Sequence, residues 1–411
     1  MTELQSRRRE EKASLRAGTG KAVITPPLGT LLAGYGYRDH GAEGVLDDLE
    51  LRAFWFEADT APEGPLCIVT ADLIGFDAEL TEAIRGDLSR AYPVAPHAVM
   101  LAASHTHSGP QTSSTLAAAG GLPVPEYVAE LRRRIVAAVG EARRSARPVR
   151  LEGGRGVLPD GFAVNRRRKE NGRVINAPNP AGVKDDEVMA LAARDAATGE
   201  VVAVLFHYTC HPTTMGDYRI TADYPGAARR FIEAALPGAA AGFLPGCFGD
   251  VRPNCTILGG TRFRRGTPED VAAFGAALGA EVVRIVSKER QKSFAPRLFA
   301  RATEIALPLV KSGEARPLSL QRMDLAEDLT IIAMGGEVCV DYGHFIKGLR
   351  PGAYLIPVGY ANGLIGYIAS ARLFPEGGYE PDTSHQVYGL PTPFHPSIDG
   401  IVRAGIEAIL A

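Results

Sequence analysis

The chain has 411 residues, of which 45% are hydrophobic and 22% are charged, and its formal net charge is −2. This composition is ordinary for a soluble globular protein with a large core, and the scattered Lys and Arg residues give no support for a nucleic-acid partner. Because no run of 18 apolar residues occurs, we expect no membrane span.

The N-terminal segment is highly charged and lacks the apolar region of a secretory signal. We expect residues 1–16 to be disordered or frayed and a single folded domain to span residues 17–411. The five cysteines are odd in number and show no Cys-x-x-Cys spacing, so neither a disulfide framework nor a cysteine zinc site is expected. Together these features predict a cytoplasmic protein.

Strands and helices alternate along the chain without an internal repeat. In chain order, strands are predicted at 18–25, 49–57, 66–72, 98–103, 188–194, 201–207, 305–309, 329–334 and 353–358, and helices at 81–92, 127–144, 222–236, 270–287 and 400–410. The Gly- and Tyr-rich segment 28–44 is predicted to be a long loop, either a pocket wall or a purely structural connection. The alternation predicts an α/β fold in which a mixed β-sheet core is flanked by helices in a single large catalytic domain.

Two histidines follow the predicted strand 98–103. In extended chain, residues i and i+2 point to the same side, so His105 and His107 are expected to face one pocket. Neutral imidazole is the commonest metal ligand and a general base near neutral pH. Taken alone, the motif fits a tight turn with two polar residues about as well as a site.

A second pair of histidines follows the strand 201–207. Pro212 argues against a helix at His211, which lies past the strand end and is the better ligand candidate. His207 is expected to be a core histidine that bonds to backbone.

Further candidates lie among glycines and polar residues. Glu337 follows a glycine pair that permits close backbone approach. Tyr367 and Tyr379 lie in glycine-rich segments and fit packing aromatics equally well. Arg166 is expected in a polar loop, and 249–254 is expected to form a turn.

These pieces resemble the catalytic domain of the neutral, or non-lysosomal, ceramidases. The similar segments are Ser104-His-Thr-His-Ser-Gly-Pro110, His211-Pro-Thr-Thr-Met215, Gly336-Glu337, and Gly366-Tyr367 with Tyr379-Glu380, together with Asn165-Arg166, Ala222-Asp-Tyr-Pro-Gly226 and Gly249-Asp-Val251. The resemblance spans about residues 17 to 385 and rests on several ordered motifs, which are more specific together than singly.

The resemblance implies a Zn²⁺ site held by His105, His211, Glu337 and Tyr367. It also implies that His107, Arg166 and Tyr379 contact the substrate or take part in catalysis, with Tyr367 as a second phenol at the reacting group. Two imidazoles and a carboxylate leave an open zinc position, as catalytic sites need. His107 is then the general base and acid, and Arg166 holds a polar or anionic part of the substrate.

The chain also departs from the family pattern. Arg252 stands where the family has a serine, either adding charge near the pocket or pointing outward, and the family's C-terminal immunoglobulin-like domain is expected to be absent. We therefore expect a zinc-dependent amidohydrolase acting on a small or lipid-like N-acyl compound. An esterase or lactonase, a true ceramidase and a non-catalytic zinc-binding homologue remain alternatives, and Asp72, Asp223 or Asp250 are candidates for a second metal.

Overall fold

The structure is a computed structural model that describes residues 15–58, 64–158, 162–288, 291–311 and 313–411. Residues 1–14 of the predicted frayed segment lie outside these ranges. The first strand begins at Leu15, two residues before the expected start of the folded domain. Leu15 is buried, so the ordered core includes it.

The described residues form 22 strands and seven α-helices. The strands are β1 (Leu15–Val23), β2 (Gly44–Val45), β3 (Glu50–Ala58), β4 (Leu66–Ala71), β5 (Val99–Ala103), β6 (Arg147–Val157), β7 (Ala163–Glu170), β8 (Arg173–Asn179), β9 (Glu187–Asp195), β10 (Val201–Tyr208), β11 (Arg219–Ile220), β12 (Ala240–Pro245), β13 (Val251–Pro253), β14 (Ile257–Leu258), β15 (Arg262–Phe263), β16 (Lys292–Phe294), β17 (Pro296–Pro308), β18 (Ala315–Ala326), β19 (Leu329–Met334), β20 (Glu337–Val338), β21 (Tyr354–Val358) and β22 (Tyr367–Ile368). The helices are α1 (Ala78–Ala91), α2 (Pro125–Arg144), α3 (Asp223–Ala235), α4 (Pro268–Val286), α5 (Val340–Gly348), α6 (Leu373–Glu376) and α7 (Ile398–Leu410). Short 3₁₀ turns lie at Pro96–Ala98, Ser114–Ala119, Asn254–Thr256 and Thr383–Gln386.

A nine-stranded sheet forms the larger part of the core. Its strand order is β12-β10-β9-β6-β1-β3-β4-β5, with β16 added on β6. The β4–β5 and β10–β12 pairs are parallel and the other pairs are antiparallel, which confirms the predicted mixed sheet. Gly242 of β12 packs against Phe54 of β3, so the two ends of the sheet approach each other.

A four-stranded sheet of order β17-β18-β19-β21 makes the second part of the core. The segment after β21 joins it to β5. Ala361 donates to the carbonyl of Met334 at 3.1 Å, Asn362 donates to that of Leu101 at 2.9 Å, and Ala103 donates to that of Tyr360 at 3.2 Å. This segment therefore brings the end of β19 beside the end of β5, where the predicted site residues lie.

The helices start where the sequence supplies caps. Asp77 accepts from the amide of Leu80 at the start of α1, and Thr267 forms a capping box with Asp270 at the start of α4. α2 buries its apolar stripe, including Leu131 and Ile135, against β1 and β3. In the described ranges, no helix has the length and apolar character needed to cross a membrane.

The structure corrects the prediction for the stretch around Arg166. It is a strand, β7, rather than a polar loop, and it pairs with β8 and β13. The run of charged residues did not indicate a strand, because the partners that neutralise the guanidinium groups of Arg166 and Arg167 are distant in the sequence. The turn expected at 249–254 includes the short strand β13, and the strand expected at 305–309 is the end of the much longer β17.

Candidate metal and active site

His105 and His107 lie just after β5 with their rings close together, as the prediction that they share one site requires. Their ring centroids are 4.9 Å apart. The reason differs from the predicted one, because His105 adopts a left-handed backbone with φ of 65° instead of extended chain. Such strain costs on the order of 1–3 kcal/mol and is typical of functional sites. Hydrogen bonds of the His105 amide to the Leu73 carbonyl, 2.9 Å, and of Nδ1 to the Ile74 carbonyl, 2.5 Å, hold the turn.

His211 joins this pair from β10. It lies three residues after the strand end, is fully buried, and its Nδ1 donates to the carbonyl of Phe248 at 2.6 Å. Its ring centroid is 5.2 Å from that of His105. His207 is buried in the core with Nδ1 bonded to the Leu244 carbonyl at 3.2 Å, which confirms its predicted structural role.

Glu337 enters from the second sheet. It is the first residue of β20, which pairs in parallel with β22 so that Glu337 is opposite Tyr367. Its Oε2 lies 3.1 Å from Nε2 of His211 and 3.5 Å from Nε2 of His105. Gly335 permits this approach, since a methyl group there would overlap the backbone carbonyl of Gly363.

The hydrogen bonds determine which imidazole nitrogens are free. A carbonyl can only accept, so Nδ1 of His105 and of His211 must donate, and in a neutral ring Nε2 then carries the lone pair. Burial lowers the pKa of His211 to about 4, even though the hydrogen bond with Glu337 opposes this, so that ring is neutral near pH 7. With its ring neutral, His211 directs its Nε2 lone pair at the carboxylate oxygen of Glu337, an arrangement that a cation between the two would satisfy. An N–H donated to backbone is also the usual orientation of a metal-bound histidine.

The carboxyl of Glu337 is suited to hold charge. Burial raises its pKa, but His105 and His211 outweigh this effect, so the pKa lies well below the usual value. Tyr388 also donates to Oε1 of Glu337 at 2.5 Å. The carboxylate is thus ionised and oriented at neutral pH.

His107 completes the group. Its ligand nitrogens and those of His105 and His211 all lie within 4.8 Å of one another. Neither ring nitrogen of His107 has a hydrogen-bond partner among the described residues, although both are shielded from solvent. Burial, followed by the neighbouring histidines, lowers the pKa of His107 well below its ordinary value.

The segment 28–44 packs against His107. The ring of Tyr35 packs 4.8 Å from that of His107, and Arg38 donates to the His107 carbonyl at 2.6 Å. Gly34 has φ of 93° and leaves room for the imidazole, which a methyl group there would overlap. This loop therefore lies in direct contact with a candidate site residue, and its role as a pocket wall stays a prediction.

Arg166 lies close to the two predicted tyrosines, Tyr367 and Tyr379. The guanidinium of Arg166 lies 5.4 Å from the ring centre of Tyr367 and 5.5 Å from that of Tyr379, and its Nε donates to Glu380 at 2.8 Å. Its Nη2 is buried and has no partner among the described residues. Burial, then Glu337, raises the pKa of Tyr379 to about 12, so its hydroxyl stays protonated at neutral pH.

Three tyrosines at the site were not predicted. Tyr388 binds Glu337, Tyr35 packs on His107, and Tyr360 packs 4.4 Å from His105 with a left-handed φ of 57°. The glycine-rich setting of Tyr35 and Tyr360 is the one sequence signal that marks them, and Tyr388 has none.

The candidates for a second metal are occupied by other contacts. Asp72 pairs with Arg229 at 2.6 Å, Asp223 accepts from backbone amides including that of Thr214, and Asp250 accepts from the amide of a helix start and from a side-chain amide. Across the described part of the chain, the three histidines form the single group close enough to share a metal.

Comparison with solved structures shows the same fold in two ceramidase structures. One is a neutral ceramidase from Pseudomonas aeruginosa, with a TM-score of 0.78 and 19% identity over 96% of this chain and 74% of that chain. The other, a ceramidase complexed with C2, has the same TM-score and coverage at 18% identity. No curated protein sequence matches the chain.

The family comparison covers well over half of the sequence. The model for the N-terminal part of the neutral/alkaline non-lysosomal ceramidases matches residues 15–279, which contain His105, His107, Arg166 and His211. The resemblance noted from the short motifs is thereby confirmed. The chain belongs to the neutral/alkaline non-lysosomal ceramidase family.

Proposed function

We propose that this chain hydrolyses the amide bond of a small or lipid-like N-acyl compound, using a bound zinc ion. The observation that carries the proposal is the convergence of His105, His211 and Glu337, in which the Nε2 atoms of the two histidines lie 3.5 Å and 3.1 Å from one carboxylate oxygen of Glu337. The family's name supports an amide as the bond that is cleaved.

The donor set fits a zinc ion. His105, His211 and Glu337 offer two nitrogens and an oxygen, and Tyr367 is the nearest further oxygen donor on the paired strand. When bound, zinc supplies a Lewis acid that polarises a carbonyl and lowers the pKa of a water towards about 7. The buried Nε2 of His105, which lacks a hydrogen bond among the described residues, supports this assignment over a purely structural cluster.

His107 serves as the proton carrier in this proposal. Its low pKa keeps the ring neutral, so one of its unpartnered nitrogens can accept a proton from the attacking water. The same ring then delivers that proton to the leaving nitrogen, so that one water and one amide become a carboxylic acid and an amine. The packing of Tyr35 on His107 holds the ring in position for both transfers.

Tyr379 and Arg166 act on the substrate. The Tyr379 hydroxyl, which stays protonated, donates to the negative charge that develops on the carbonyl oxygen. Glu380 fixes the Nε side of Arg166 and leaves Nη2 free, so this edge of the guanidinium binds a polar group of the substrate. A cytoplasmic location for this reaction stays a prediction.

A matched substrate panel tests the bond class. The purified zinc-loaded protein is offered N-acyl amides of several chain lengths, including ceramide, and esters of the same acyl groups, with release of the free acid measured by mass spectrometry. We expect turnover of amides, with His107→Gln strongly impaired and the exposed His97→Ala fully active. Cleavage of esters alone would contradict an amidase, and no turnover with zinc bound would contradict catalysis.

A further inference from the structure

Arg252 is the residue at which this chain replaces the family's serine. It is the middle residue of β13, where it pairs with Val164 of β7, and its neighbour Val251 pairs with Asn165. The amide of Arg166 donates to the carbonyl of Asp250 at 2.9 Å on the same strand pair. The two arginines therefore belong to adjacent, directly paired strands.

The side chain of Arg252 is held in place without a counter-ion. Its guanidinium carbon lies 4.3 Å above the ring centre of Phe263, a stacking contact typical of arginine. Its Nε is shielded from solvent and has no hydrogen-bond partner, and no carboxylate of the described residues forms an ion pair with it. Arg252 is partly exposed, so an anion can reach its guanidinium, and the shielded Nε lacks a partner that such an anion would supply.

Arg252 lies close to Arg166, because Val164, its partner in β7, is two residues from Arg166. Its charge acts on Tyr35, Arg166 and Tyr367, which all line the site, and burial and Arg166 lower its pKa. Arg166 keeps a second unpartnered nitrogen, Nη2, in the same region. This region thus has two cationic groups, each with one shielded nitrogen that lacks a partner among the described residues, and Glu380 forms an ion pair with Arg166 but not with Arg252.

We propose that Arg252, with Nη2 of Arg166, binds a carboxylate of the substrate, so that the N-acyl compound cleaved here is an acid. The inference rests on the proposed amide hydrolysis and narrows its substrate class. Planar guanidinium groups match carboxylates in shape and charge, and charge-assisted hydrogen bonds of this kind are strong. In this scheme Arg252 sets specificity and takes no part in proton transfer.

Two matched substrate pairs test the inference by turnover. N-octanoylglycine is compared with N-octanoylglycinamide for a carboxylate on the amine side, and N-octylglutaramic acid with N-octylglutaramide for one on the acyl side. We expect the acid of at least one pair to be preferred about tenfold to a hundredfold in kcat/KM. We expect Arg252→Gln to remove this preference by raising the KM of the acid, and Arg252→Lys to retain part of the preference. The exposed Arg262→Gln, on the hairpin that carries Phe263, should change neither the preference nor the KM.

A binding measurement makes the outcome independent of turnover. Calorimetry of the four compounds uses the His107→Gln protein with and without Arg252→Gln. We expect the dissociation constant of the preferred acid to rise about tenfold or more when Arg252 is replaced, while its neutral amide is unaffected. Equal binding of acid and neutral compound in both pairs would overturn the inference. Selective binding without any turnover by the wild type would contradict the proposed hydrolysis and leave the carboxylate site standing.

Discussion

The carboxylate of Glu337 lies 3.1 Å from Nε2 of His211, although 126 residues separate the two in the chain. One comes from the end of β10 in the large sheet, and the other from β20, beside the second sheet. Since Nδ1 of His211 donates to the backbone, Nε2 is the nitrogen that is left to bind a proton or a metal ion opposite this carboxylate. This relationship makes the junction of the two sheets the centre of the proposed chemistry.

Replacing either His105 or His211 with alanine is expected to abolish zinc binding. Each variant removes one of two nitrogen donors and leaves Glu337 without a full ligand set. Metal analysis after dialysis should fall from about one zinc per chain to near zero. His97→Ala is the matched control and should retain the metal, because His97 is exposed and outside the site. Full zinc occupancy in the His105 variant would refute the ligand assignment.

Replacing His107 with glutamine separates the base from the ligands. We expect zinc to stay bound while kcat falls about 10²- to 10⁴-fold, the usual contribution of a general base. Metal analysis and steady-state kinetics on the same preparation measure both quantities. Loss of zinc from the His107 variant would contradict this assignment. Because the three histidines lie close together, it would show that His107 is a third nitrogen ligand.

Replacing Tyr379 with phenylalanine should slow the chemical step. The loss of one donor to a developing oxyanion costs about 10²- to 10³-fold in kcat, and KM should change little because the ring remains. Tyr218→Phe is a suitable control, since its hydroxyl bonds to Asp39 in the loop 28–44 and not to site residues. A rise in KM at constant kcat would instead make Tyr379 a substrate-binding residue.

Lys347 is expected to stabilise the fold in a pH-dependent way. Its Nζ lies 2.6 Å from Asp185 and 2.8 Å from Glu187 in a largely buried cluster. Burial raises the pKa of Asp185, but the charge of Lys347 outweighs this and leaves the pKa below its usual value. A lowered carboxyl pKa contributes stability above the unfolded pKa of about 3.9, and this contribution is lost as the pH falls through the folded value.

Lys347→Met should therefore lower the free energy of unfolding by about 3–5 kcal/mol near neutral pH, and the difference from wild type should shrink in acid. Urea denaturation at several pH values measures it. Lys292→Met breaks an exposed pair with Asp328 and should cost less than about 1 kcal/mol. A difference that grows as the pH falls would contradict the assigned sign.

Local patterns predicted much of the fold, and they indicated several candidate residues that the structure brings together. Two apolar runs, which form β5 and β10, are followed closely by His105 and His211, and this pattern indicated which strand ends carry polar site candidates. Capping residues such as Thr267 indicated where helices begin. The mixed sheet followed from the alternation of strands and helices.

The remaining features depend on contacts between distant segments. β7 is a buried strand because Glu380, 214 residues away from Arg166, neutralises its charges, and no local pattern contains that partner. Likewise the left-handed turn at His105 and the hydrogen bond from Tyr388 to Glu337 arise only when the two sheets meet.

Removal and restoration of the metal tests the central claim most directly. The wild-type protein is stripped with a chelator, and amide hydrolysis and zinc content are measured together as zinc is added back, with His105→Ala treated in parallel. We predict that activity disappears with the metal and returns in proportion to bound zinc up to about one per chain, and that the variant recovers neither. Undiminished amide hydrolysis by the zinc-free wild type would contradict the account.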